Sequence, residues 1–145
     1  MKLRISVLAI ALFLAACSGS KPPVDNAAVE NRKAQNKEIA VKNKVSDLTR
    51  LAQKIEKQGR EMEIYRRGRD PKNIGECEAA MEDGNKQIAD LETRTKNLPE
   101  NFRIQLTPIL TDINECVSCE KEAVNACVKT RTAINTVIKE FYPPK

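Results

Sequence analysis

Between residues 74 and 98 the chain keeps one spacing. Ile74, Cys77, Met81, Ile88, Leu91 and Leu98 fall three, four or seven apart, and Gly84 and Thr95 fill the places between. A strand would alternate with period 2, whereas a helix turns every 3.6 residues, so this pattern is one apolar stripe on a helix. Glu and Lys occupy the other faces. Asp70-Pro71 opens the element, because proline is tolerated in a first helical turn. A helix with a single apolar face must bury it against another element. This seam, which carries Cys77, therefore demands helical partners.

The chain offers two. Helix one is expected over 27–67, with Asn26 as N-cap. Its stripe is Val41, Val45, Leu48, Ala52, Ile55 and Met62. Gly59 takes the missing turn and either admits another helix closely or marks a bend. Before Val41 the pattern thins among Glu30, Arg32, Lys33, Lys37 and Glu38, which reads as a solvated extension. Gly68 suits the position after the helix. Residues 97–107 read as a turn in which Pro99 starts one short helical turn carrying Phe102, Ile104 and Leu106. Thr107-Pro108 then reads as N-cap and first residue of helix three, which runs to about Tyr142 and stops before Pro143-Pro144. Its stripe holds Ile109, Ile113, Cys116, Ala123, Cys127, Ile134, Val137 and Phe141. At 1.5 Å per residue the three helices span roughly 60, 40 and 50 Å.

The fold expected is all-α: an elongated up-down-up three-helix bundle, or a helical hairpin with a long first helix, braced by disulfides. In the alternative arrangement helix one stands apart and pairs with another chain as a coiled coil. Tryptophan is absent, and beyond the N-terminal segment the aromatics are Tyr65, Phe102, Phe141 and Tyr142. The up-down-up order puts Phe141 and Tyr142 beside Tyr65, with Phe102 at the opposite pole. Histidine is absent too, which removes His-based triads and His metal ligands.

The N-terminus is a separate kind of segment. Lys2 and Arg4 precede an apolar run from Ile5 to Ala16, interrupted only by Ser6. The run is too short to span a bilayer, which takes about 20 residues, and fits the apolar region of a secretory signal. It ends in Leu14-Ala15-Ala16-Cys17, which resembles the lipobox of bacterial lipoproteins. The resemblance covers the first eighteen residues. It implies cleavage between Ala16 and Cys17, lipid on the Cys17 thiol and acylation of the new amino group. Anchoring would then be stable, since more than one acyl chain is present. Ser18 follows the cysteine where the family's sorting rule would need Asp for inner-membrane retention. The resemblance therefore implies an outer-membrane anchor, with the protein facing the periplasm. The organisation expected is a signal peptide over 1–16, a lipidated tether over 17–26, a helical domain over 27–142 and a tail over 143–145. Pro22-Pro23 and small polar residues keep the tether extended. Loss of Lys2 and Arg4 takes the net charge from +5 to +3, too mild to point to nucleic acid.

An oxidising compartment turns Cys77, Cys116, Cys119 and Cys127 into disulfide candidates. Within one continuous helix Cys116 and Cys127 lie about 16 Å apart. A disulfide needs Cα atoms within about 7 Å, so they join only if the helix is broken. A reversal near residues 100–103 sets Cys77 opposite 123–129. The pairing expected first is Cys77–Cys127 with Cys116–Cys119. Second comes Cys77–Cys119 or Cys77–Cys116, with the other thiols paired irregularly or free. Cys116-Val-Ser-Cys119 also reads as a CxxC, which lends itself to redox work when it starts a helix. Here it lies inside a predicted helix with no βαβ pattern near it. A Cys₄ zinc site would want a second such half. No cofactor motif and no catalytic residue is assigned.

Arg66-Arg67-Gly68-Arg69 has two readings: cations complementing the end of helix one, or a docking patch of Arg66, Arg67 and Arg69 for an acidic partner. The chain ends in Lys145. The murein lipoprotein is joined to peptidoglycan through such a residue, and this chain resembles it in lipid, helices and terminal lysine, but not in its cysteines or Pro143-Pro144. The function expected is a non-enzymatic adaptor with a protein partner and a lipid bilayer beneath it. Its architecture is similar to that of pilotins, small lipoproteins that chaperone secretin subunits. The alternatives are a membrane-to-wall tether and a CxxC redox protein.

Overall fold

A computed structural model describes residues 26–68 and 70–142. The signal segment, the tether with Cys17, Arg69 and the tail with Lys145 lie outside the described residues. Among the described residues there are helices and turns only: α1 (Asn26–Glu61), α2 (Glu63–Arg67), α3 (Pro71–Lys96), α4 (Glu100–Cys116) and α5 (Ala123–Phe141). The protein is an all-α, disulfide-braced bundle with a long first helix.

α1 and α2 together cover the expected helix one, interrupted at Met62. Val45, Leu48, Ala52, Ile55 and Met62 are buried, as the stripe required. Residues 26–40 are all exposed. At 1.5 Å per residue they form an arm about 22 Å long beyond the bundle. α3 starts where its cap predicts, with the Asp70 carboxylate accepting from the Lys72 N–H at 2.9 Å and Pro71 at the first position. Gln58 of α1 donates to the Ala80 carbonyl at 2.9 Å, and Lys44 and Leu48 share a cleft with Arg94 and Asn97, so α3 runs antiparallel to α1.

The expected third helix is two helices. α4 begins just after Pro99 instead of at Thr107, and Pro108 lies inside it. Proline there removes one helical donor. It is tolerated because Ile104, which would have supplied the acceptor, and Pro108 itself both face solvent, while Leu106, Ile109 and Ile113 are buried on the other side. α4 stops at Cys116. Residues 117–122 reverse the chain, and α5 returns along α4. Gln105 donates to Glu140 at 2.7 Å, and the Phe102 and Phe141 rings stack 5.6 Å apart. α5 is also antiparallel to α1, with Arg131 on Glu56 at one level and the Tyr142 hydroxyl donating to the Lys42 carbonyl at the other. The four long helices therefore run up-down-up-down.

Two expectations are corrected by this extra reversal. Phe141 meets Phe102 rather than Tyr65, because α5 carries it back to the pole where α4 began. The disulfides are Cys77–Cys119 and Cys116–Cys127, with Cα atoms 6.0 and 4.5 Å apart, in place of Cys77–Cys127 and Cys116–Cys119. The break in the helix is the condition under which Cys116 and Cys127 can meet. In the chain-entropy account the two crosslinks, 42 and 11 residues apart, contribute about 4 and about 3 kcal/mol.

Candidate functional site

The polar and reactive groups gather at one pole, where α1 hands over to α2 and α4 turns into α5. The end of α4 leaves carbonyls without helical donors. Arg66 of α2 supplies them. Its Nε donates to the Ser118 carbonyl, one terminal nitrogen to the Cys116 carbonyl and the other to the Gly59 carbonyl, each at 2.8 Å. One guanidinium thus ties α1, α2 and the α4–α5 turn. Burial lowers the Arg66 pKa from its ordinary value, against the pull of Glu63, and the group stays charged.

Gly59 permits this approach. A Cβ built there would lie 2.5 Å from the Cys116 sulfur and 2.6 Å from the Cys116 carbonyl oxygen. Of its two expected roles, close approach is the one the structure gives it. Gly84 of α3 faces Val117 in the same way, with a built Cβ 3.2 Å from the valine. The turn is therefore seated on two glycines.

One helical turn away, a carboxylate is buried between α1 and α5. The Glu56 side chain is 5% exposed, and one of its oxygens accepts from Arg60 at 2.8 Å and from Arg131 at 2.8 and 2.9 Å. Both guanidiniums reach water. Burying an unpaired carboxylate is costly, and the two guanidiniums supply the donors that offset it. Glu56 and Arg131 were not singled out from sequence. The signal available was a charge at the edge of the α1 stripe with Arg60 four residues on.

The sequence-derived candidates divide as follows. Arg66 turns its donors inward to carbonyls. Arg67 pairs with Glu63 on the surface. The structure brings Cys116 and Cys119 to the same turn but bonds each to a different cysteine. Cys77–Cys119 borders a cleft of about 190 Å³ with Tyr65, Arg66, Gly68, Ile74 and Glu78, whereas Cys116 and Cys127 are sealed. Among the described residues no helix is long and apolar enough to cross a membrane. No protein-family model, curated protein or solved structure matches this chain.

Proposed function

We propose that the chain is a lipoprotein held at the outer membrane by lipid on Cys17, faces the periplasm, and works without catalysis as a binding or assembly adaptor. The observation that carries this reading is Leu14-Ala15-Ala16-Cys17 at the end of a short apolar run behind Lys2 and Arg4. Two disulfides in a chain of this size support an exported protein. The arm and tether set the geometry. Residues 18–25 span about 26 Å when extended, and the arm adds about 22 Å. The bundle would then work within about 50 Å of the bilayer. The likeness to pilotins makes a secretin subunit the first partner to try.

Peptide mapping of membrane-extracted protein by mass spectrometry tests the anchor. A triacylated peptide beginning at Cys17 supports it, and an unmodified N-terminus removes it. Cys17→Ser should abolish both the acylation and the cleavage before residue 17 in the same peptide map. A tether to the cell wall is the second reading, favoured by the exposed arm. Lipid-bound muropeptides attached through Lys145 after wall digestion would select it.

A further inference from the structure

The two disulfides sit one turn apart and meet solvent very differently. Cys116 is 0% exposed and Cys127 1%, beneath the Gly59 contact. Cys119 is partly exposed and opens onto the cleft, while its partner Cys77 is 3% exposed. Thiol–disulfide exchange needs an in-line approach to one sulfur, so access decides which bond reacts. The cleft also carries charge. Arg66 bonds the carbonyl of Ser118, the residue before Cys119, which holds a fixed cation at the cleft wall. A cation favours an incoming thiolate and a departing one. Glu78 lines the same cleft with the opposite sign, so Arg66 offsets it.

We propose that Cys77–Cys119 is a thiol-exchange site that reacts with an external thiol from the native fold, while Cys116–Cys127 stays closed. The thiolate attacks the Cys119 sulfur. The Cys77–Cys119 bond breaks, a mixed disulfide forms on Cys119, and Cys77 leaves as a thiolate that takes a proton from water. A second thiol attacks the mixed disulfide. The two thiols leave as their own disulfide, and Cys119 becomes a thiol. Two electrons pass from the thiol pair to the protein, and an external disulfide reverses the sequence. Opening the bond frees the start of α3 from the α4–α5 turn. The Cys116–Cys127 bond still ties α4 to α5 across the turn, and Arg66 still links the turn carbonyls to Gly59 of α1. The assignment rests on burial and placement within the bundle and stands independently of the Cys17 anchor.

The test is timed reduction of the full-length mature protein by glutathione, with acid quenching, alkylation and non-reducing peptide mapping. Cys77 and Cys119 should be alkylated at least tenfold faster than Cys116 and Cys127. Their rate should be flat in low urea, because no unfolding is required, while reduction of Cys116–Cys127 should rise steeply with urea. Release of all four thiols together, release of Cys116 or Cys127 first, or an equally steep urea dependence for Cys77–Cys119 would overturn the proposal.

Discussion

At the scale of the residue, glycine and arginine set the close contacts of this bundle. Gly59 and Gly75 are both helical glycines, yet a Cβ meets backbone and sulfur at one and nothing within 4 Å at the other. Gly59→Ala should destabilise by about 1–3 kcal/mol through overpacking, more than the propensity gain returns. Gly75→Ala should stabilise by about 0.5–1 kcal/mol, since only helix propensity changes. Urea midpoints of the two variants check both signs. Arg66→Lys should cost about 2–3 kcal/mol, because a single ammonium cannot reach three carbonyls in separate directions. Arg67→Ala, which loses only an exposed pair, should change stability by less than about 0.5 kcal/mol. Arg66 was legible as a cation near a helix end. Which carbonyls it serves was not, since two of the three lie 50 and 52 residues away.

At the scale of the element, α4 shows packing overriding local preference. Thr107-Pro108 has the chemistry of a helix start, and the helix nevertheless runs through it. Burial of Leu106, Ile109 and Ile113 holds the two sides of Pro108 in one helix. Pro108→Ala should therefore restore a backbone donor and stabilise by about 1–3 kcal/mol, read from the urea midpoint. Exposed (i, i+4) pairs support α1 and α3. A hydrogen bond from Lys42 and its charge hold Glu38 below the usual carboxylate pKa, and Lys86 does the same for Glu82. Carboxylates depressed in the folded state stabilise it above their unfolded pKa. That support should fade as pH falls through the carboxylate range. Far-UV circular dichroism should show a small loss of helicity on acidification, reduced by salt.

At the scale of the whole molecule, the chain is a bundle with an arm. Residues 26–40 are all exposed, and an isolated helix of that length is marginal in water. Limited trypsin should cut first after Arg32, Lys33 and Lys37 and leave a resistant fragment holding both disulfides. Gel analysis and mass spectrometry of the fragment check this. The thinning of the apolar stripe before Val41 already marked this boundary, because burial of an arm needs a stripe to bury.

The sequence by itself determined that the chain is helical, where the stripes lie, that Asp70-Pro71 starts a helix and that Gly59 and Gly84 occupy seam positions. These follow from local spacing, and spacing is written in the chain. Only the tertiary structure decided that the last helix is two, and with it the disulfide pairing and the meeting of Phe102 with Phe141. Residues 117–122 contain no glycine or proline to announce a reversal. The turn exists because Arg66 satisfies its carbonyls, Gly59 and Gly84 make room for it, and two disulfides close over it. Arg66, Gly59, Gly84 and Cys77 are all remote from the turn in sequence, so local spacing did not place the break.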